Sequence, residues 1–155
     1  MQASKASYDV VIVGGAVVGS ATAYFLATNP DFTGSILVIE KHWTYQRSAT
    51  ALSSSSIRHQ FSNAINVKVS QFGTVFIRNF GENVAVDDDT PEIGFHEAGY
   101  LFLAGDERGE QVLRRNHETQ VACGAKMTLL DVEGLGKRFP WLNLEGLTLG
   151  STGEA

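Results

Sequence analysis

Three glycines and one glutamate near the start of the chain have the types and the spacing of a nucleotide-binding site. Gly14, Gly15 and Gly19 follow the apolar run at residues 10–13, and Glu40 ends a second apolar run about 20 residues after Gly19. A glycine turn between a strand and a helix brings backbone N–H groups to a pyrophosphate, and an acidic residue at this distance accepts hydrogen bonds from a ribose. The pattern therefore predicts a dinucleotide site.

Two strands and a helix must position these residues. Residues 10–13 are all β-branched, which predicts a strand buried on both faces, as in the centre of a parallel sheet. Residues 20–27 carry apolar side chains at helical spacing, and the helix must end before Pro30. Residues 36–39 are the second predicted strand. This order predicts a βαβ unit with parallel strands.

The acidic residue also narrows the choice of cofactor. Because Glu40 would repel a 2′-phosphate, NADP is disfavoured, and FAD and NAD remain. Ala16 replaces the middle glycine of the usual motif and adds one methyl group where the backbone comes nearest the pyrophosphate. A buried βαβ unit with a glycine-rich turn and no ligand is the alternative, and it leaves Glu40 unexplained.

Composition indicates a globular protein of about one domain, with 155 residues, 43% of them hydrophobic and 19% charged. The longest apolar run is far below the roughly 20 residues of a membrane span, and residues 1–7 lack the features of a signal peptide. We therefore expect a cytoplasmic protein without a transmembrane segment. The net charge of -5 argues against a nucleic-acid partner, and the single Cys123 provides neither a disulfide nor a metal-binding pair, so no metal site is predicted.

A serine-rich segment between residues 44 and 63 surrounds the pair Arg58-His59. Composition alone favours a flexible loop. The alternative is a loop whose hydroxyl and backbone N–H groups bind a cofactor, while the planar guanidinium of Arg58 binds a carboxylate.

Three motifs in order, "YDVVIVGGAVVGSATAYFLA", "ILVIEK" and "SATALSSSSIRHQFS", resemble the amino-terminal part of the FAD-dependent D-amino acid oxidase superfamily. The likeness is nearest to glycine, sarcosine and D-amino acid oxidases or dehydrogenases, and it extends through "GYLFLA" and "RFPWLN". It implies an α/β fold, with a Rossmann-like FAD-binding βαβ unit and part of a substrate-domain mixed sheet, as in flavoproteins of the glutathione-reductase type.

The resemblance also implies roles for individual residues. Arg58 would bind the substrate carboxylate, although a surface or structural ion pair is the alternative, and His59 has a weaker claim to the substrate site. Glu40 would bind the ribose, and Lys41 would lie beside the adenosine. The pyrophosphate loop would be Gly14, Gly15, Ala16, Val17, Val18 and Gly19, and the hydroxyl groups along the diphosphate and toward the isoalloxazine would be those of Ser48, Thr50, Ser54 and Ser55.

The implied reaction is oxidation of the C–N bond of an amino acid or N-methyl amino acid, with hydride transfer to FAD. Oxygen, a quinone or an electron-transfer protein would accept the electrons, and no catalytic base can be named. The chain would hold the amino-terminal part of the FAD domain, residues 8–85, and the beginning of an incomplete substrate domain, residues 86–155. By itself it should be poorly stable and bind FAD weakly or not at all. An NAD-dependent dehydrogenase and a non-catalytic assembly or scaffold protein with the flavin fold remain alternatives.

The rest of the chain predicts further elements. Apolar residues 65, 69, 72, 76 and 80 recur at helical spacing, which predicts a helix with this stripe in the core, capped by Ser62 or Asn63 and ended by Gly81. Residues 97–104 predict a strand of a second, substrate-side sheet, in which Tyr100 packs. A helix that Asp106 caps and the strand at residues 127–130 follow. Residues 87–89 are typical of a solvated turn.

Overall fold

The computed structural model describes residues 5–153 and contains two compact units, which divide between Ser56 and Ile57. The first unit contains β1 (Val10–Val13), α1 (Val17–Ala27) and β2 (Ile36–Ile39). The second contains α2 (Ala64–Arg78), α3 (Phe80–Val84), β3 (Tyr100–Ala104), α4 (Glu107–Ala122), β4 (Met127–Leu130), α5 (Val132–Arg138) and β5 (Leu149–Gly153). The sequence placed residues 57–85 with the nucleotide domain, but their contacts group them with the second unit because α2 packs against α4. The functional division into two domains stays a prediction.

The first unit is the predicted βαβ unit. β1 and β2 pair in parallel from Val10 opposite Ile36 to Val13 opposite Ile39, and α1 packs against both strands. Where the strands begin, the backbone N–H and the hydroxyl of Ser35 both donate to Asp9 Oδ2 at 2.7 Å. These hydrogen bonds hold the pKa of Asp9 below its usual value.

The expectation that β1 is buried on both faces is wrong for the described residues. Val11 is 51% exposed and Val13 is 86% exposed, while Ile12 between them is partly buried. The reason is that α1 covers one face of the two-stranded sheet. The run of β-branched residues therefore predicts the strand, but it does not predict which faces of the strand are buried.

The second unit contains the separate sheet that the sequence predicted. Its strand order is β3-β5-β4 with both pairings antiparallel, and α4 packs against all three strands. Leu135 of α5 is fully buried and lies over Gly150 of β5, where a β-carbon would come within 2.5 Å of the leucine side chain. A second cluster joins Val67 of α2 to Ala125 and Met127.

Local capping signals fix several helix ends. Asn63 accepts a hydrogen bond from the N–H of Ile65 at 3.0 Å, and Asp106 accepts one from Gly109 at 2.6 Å, as predicted. The predicted end of α2 at Gly81 is wrong, since α2 ends at Arg78. Asn79 is the C-cap residue, and its side-chain amide donates to the carbonyl of Val75 at 3.0 Å.

The apolar stripe of α2 is the main disagreement with the sequence analysis. Its members Ile65, Val69 and Phe72 are each more than half exposed, so the prediction that the whole stripe lies in the core is wrong for the described chain. The buried face of α2 instead carries Val67 and Thr74. Periodicity identifies an apolar face of a helix, but it does not identify the partner that covers it.

Leu135→Ala tests the core of the second unit. We expect this substitution in the full-length protein to lower the free energy of unfolding by about 2–5 kcal/mol, because it removes a fully buried side chain and leaves a cavity. Val69→Ala, on the exposed face of α2, should change it by only about 0.5 kcal/mol. Urea unfolding followed by circular dichroism measures both. Equal losses in the two variants would contradict this assignment of the core.

Candidate functional site

The glycine turn of the first unit has the geometry that the sequence predicted. Gly14 has φ +101°, a conformation that L side chains rarely adopt, and its N–H donates to the carbonyl of Ile39 at 2.7 Å. A β-carbon on residue 19 would overlap the carbonyl oxygen of Gly14. Gly14 is therefore needed for the turn itself, and Gly19 for the close approach of α1 to β1.

The turn leads directly into the positive end of α1. Ala16 is the N-cap residue and has no side-chain cap, and the first turn of α1 contains no acidic residue. The N–H groups of a first helical turn have no partner within the helix, so they can donate to an anion. Ser20 stabilises the turn from inside, because its hydroxyl donates to the carbonyl of Gly15 at 2.5 Å.

Glu40 contacts the glycine turn through a hydrogen bond. The N–H of Gly15 donates to Glu40 Oε2 at 2.8 Å, and the N–H of His42 donates to Oε1 at 2.8 Å. These two hydrogen bonds hold the pKa of Glu40 below its usual value, and the one from His42 has the larger effect. A carboxylate has about four lone-pair positions, so Glu40 keeps capacity to accept a ribose hydroxyl while it holds the turn.

A cavity of about 320 Å³ opens beside the turn, which is within the range of small-molecule sites. Its lining brings part of the predicted pyrophosphate loop together with part of the hydroxyl-rich segment. The lining residues are Gly15, Ala16, Val17, Ser20, Tyr45, Ser48, Thr50 and Ala51. Lys41, Ser54 and Ser55, which the resemblance also assigned to the cofactor, are exposed and are not among the described lining residues.

Tyr45 lines this cavity, although the sequence did not point to it as a site residue. Its backbone is left-handed, with φ +56°, and a β-carbon on Gly15 would lie 3.3 Å from its hydroxyl oxygen. No sequence signal marks it, since a tyrosine in this conformation is uncommon. The serine-rich segment around it forms turns held by its own side chains; for example, Ser48 Oγ accepts from the N–H of Ala51 at 3.1 Å.

Arg58 lies in the second unit among aromatic rings. Its guanidinium carbon is 4.8 Å from the ring centroid of Phe61, 5.7 Å from that of Phe102 and 5.8 Å from that of Tyr100. Its Nε is buried and has no hydrogen-bond partner within residues 5–153, where no carboxylate pairs with Arg58 either. The described residues therefore do not support the structural ion pair that was the alternative for this arginine.

His59, which has the weaker claim to the substrate site, lies next to Arg58 in the second unit. It is buried, and its Nε2 lies 2.9 Å from the hydroxyl oxygen of Thr74.

Within residues 5–153, no group of three or more His, Cys, Asp or Glu residues is arranged to hold a metal ion. Over the same residues, no helix is long and apolar enough to cross a membrane.

Comparison with known proteins gives the family. Residues 9–154 match the family described as DAO, FAD dependent oxidoreductase. The chain belongs to this family. Its α/β fold and its FAD cofactor, both predicted from the sequence, are thereby confirmed, and the glycine turn, the positive end of α1 and Glu40 fit FAD. Relatives of this family named FAD-dependent oxidoreductase domain-containing protein 1 are 42% identical in Xenopus laevis and 46% identical in Bos taurus, each over 148 residues and 94% of this chain.

The structure of L-proline dehydrogenase from P. horikoshii is similar, with a TM-score of 0.72, 27% identity and coverage of 94% of this chain and 37% of that one. The chain spans 30% of the length of the two curated relatives. The activity, substrate and partners of the whole protein are therefore proposals.

Gly19→Ala tests the close approach of α1 to the turn. In the full-length protein we expect bound FAD to fall at least about tenfold, because the added methyl group must displace the Gly14 carbonyl and with it the turn. Gly73→Ala, in α2, is the matched control: apart from the neighbouring backbone of its own helix, no atom of the described residues lies within 4 Å of its β-carbon position, and it should keep its FAD. Flavin absorbance per mole of purified protein measures both, and full FAD content in Gly19→Ala would contradict the prediction.

Glu40→Gln tests the carboxylate in the first unit. Because the pKa of Glu40 is lowered in the folded chain, its contribution to stability is present above the usual value of 4.5 and is lost as the pH falls through the lowered pKa. The Tm advantage of the wild-type full-length protein over Glu40→Gln should therefore be present at pH 7 and shrink as the pH falls below 4.5. Glu145→Gln, at an exposed glutamate, is the control. An advantage that does not change with pH would contradict the role of Glu40.

Proposed function

We propose that the full-length protein oxidises the C–N bond of an amino acid or an N-methyl amino acid, with FAD as the oxidant. The observation that carries this proposal is Arg58, a cation surrounded by three aromatic rings and without a carboxylate partner among the described residues. A guanidinium in such surroundings is suited to a carboxylate ligand, because its donors lie in one plane and match two carboxylate oxygens.

The aromatic rings support this role by limiting water around the arginine. Phe61 and the β3 residues Tyr100 and Phe102 offer ring faces to the guanidinium, which stabilise its charge without using its N–H donors. Its donors then remain for a ligand. The similar structure named L-proline dehydrogenase supports an amino-acid substrate, since the carboxylate is the group that all amino acids share.

The residues proposed to hold FAD are those of the sequence analysis. The loop from Gly14 to Gly19 would bind the diphosphate at the positive end of α1, and Glu40 would accept a hydrogen bond from the ribose. Ser48 and Thr50 are supported by their place in the cavity wall. Lys41, Ser54 and Ser55 remain predictions from the resemblance.

FAD supplies the acceptor for a hydride, that is, for two electrons and one proton taken from the carbon beside the nitrogen. The substrate becomes an iminium ion, or an imine once its nitrogen has released a proton to water, and water then hydrolyses it. In this proposal Arg58 holds the carboxylate so that the substrate has one orientation. The electron acceptor, whether oxygen, a quinone or an electron-transfer protein, and the cytoplasmic location stay predictions.

Anaerobic reduction of the full-length protein tests the proposed function. We expect its absorbance near 450 nm, which is typical of oxidised flavins, to be bleached by at least one of glycine, sarcosine, dimethylglycine, L-proline and a set of D-amino acids. Arg58→Lys should raise the KM of that substrate at least about tenfold at unchanged FAD content, because it removes the planar fork. Arg115→Lys, on the exposed surface of α4, is the matched control. A protein that holds FAD and is bleached by none of these compounds would instead be a non-catalytic flavin-fold protein.

A further inference from the structure

The buried polar residues of the described chain concentrate on one short segment, residues 58–61, which we name the arginine segment. Arg58 O accepts from Ser70 Oγ, and the N–H of Phe61 donates to His59 O at 2.9 Å. The buried polar residues either belong to this segment or hydrogen-bond to it, and they are His59, Gln60, Thr74, Gln120 and Ser151. Burying a polar group lowers the stability of the fold unless the group is hydrogen-bonded. So many buried polar residues around one segment therefore indicate that the position of this segment matters.

Each residue of the arginine segment is held by a different hydrogen bond. Gln60 Nε2 donates to the carbonyl of Ser151 in β5 at 3.0 Å, and the carbonyl of Phe61 accepts from Gln120 Nε2 of α4 at 3.1 Å. The other two contacts come from α2, through Ser70 and Thr74. Three elements of the second unit thus hold the arginine segment, α2 and α4 through its backbone carbonyls and β5 through the Gln60 side chain.

Thr74 is central to the contacts from α2. It is 1% exposed, and its hydroxyl donates to the carbonyl of Ser70 at 3.0 Å. A hydroxyl has one proton, so the same oxygen must accept from His59, which assigns the proton of that contact to His59 Nε2. Thr74 therefore holds the His59 side chain directly, and it bonds to the residue whose hydroxyl holds the Arg58 carbonyl.

A valine would fill the same volume as Thr74 without a buried hydroxyl. Val67, two helical turns earlier on the same buried face of α2, shows that this face accepts a valine. A threonine at residue 74 is therefore explained by its two hydrogen bonds and not by packing.

We propose that Thr74 is a positioning residue for Arg58, acting through His59 and Ser70. This inference rests on the proposed function, because Arg58 must bind a carboxylate for its position to matter. With the backbone fixed on one side and the aromatic rings on the other, the guanidinium is ordered before the substrate arrives. Less conformational freedom is then lost on binding.

Thr74→Val in the full-length FAD-loaded protein tests the inference. We expect the KM of the best substrate and the Kd of acetate, the simplest carboxylate probe, to rise about fivefold to tenfold, with kcat within twofold and unchanged FAD content. Thr74→Ser keeps the hydroxyl and should restore both constants to within about twofold. A purely structural residue would instead lower Tm or FAD content without changing acetate affinity, and that result would overturn the inference.

A double substitution separates this inference from the proposed function. On the Arg58→Lys background, Thr74→Val should raise the Kd of acetate by less than about twofold, since its effect passes through Arg58. If Arg58→Lys alone leaves KM and acetate affinity unchanged, the role proposed for Arg58 fails, whereas the proposed oxidation fails only if no compound bleaches the flavin. If Arg58→Lys weakens both and Thr74→Val weakens neither, only the present inference fails. Should Thr74→Val not fold, Ser70→Ala removes the donor to the Arg58 carbonyl, and its acetate Kd must rise in the same way.

Discussion

The close approach between Gly19 and the carbonyl of Gly14 determines the geometry of the first unit. Because residue 19 is a glycine and carries no β-carbon, α1 can begin directly against the end of β1. Its first-turn N–H groups are then left without partners at the turn, and the N–H of Gly15 reaches Glu40 at the end of β2. This steric constraint thus leaves the first-turn N–H groups of α1 and the Glu40 carboxylate beside the same turn, where we propose that they bind the diphosphate and the ribose of FAD.

The second unit orders a long, flexible cation, Arg58. Arginine has many rotamers, so if Arg58 binds the substrate as proposed, a substrate that had to order it would bind more weakly. Here the backbone of Arg58 is held from α2, and its side chain lies among Phe61, Tyr100 and Phe102. The buried polar residues that achieve this order lower the hydrophobic content of the core, which is a common cost of precise placement.

Local signals explain which parts of this structure the sequence could predict. β-branched runs, glycine positions and side-chain caps such as Asn63 and Asp106 act over a few residues, so β1, β2 and the starts of α2 and α4 follow from them. The start of α1 at Val17, three residues before the predicted one, reflects the glycine turn leading straight into the helix.

The burial of helix faces and the hydrogen bonds between distant residues could not be predicted, because both depend on tertiary contacts. The stripe at Ile65, Val69 and Phe72 has helical spacing, but spacing does not say what covers it. The contact between His59 and Thr74 joins residues 15 positions apart, and that of Gln120 with Phe61 joins residues 59 apart. Such pairs have no signature in a single sequence because the fold creates them.

A crystal structure of the full-length protein with FAD bound is the most direct test of this account. It should show the diphosphate oxygens accepting hydrogen bonds from the first-turn N–H groups of α1. It should also show an adenosine ribose hydroxyl donating to Glu40 while the N–H of Gly15 still donates to the same carboxylate. A diphosphate placed away from the start of α1, or a ribose bound without Glu40, would contradict the account.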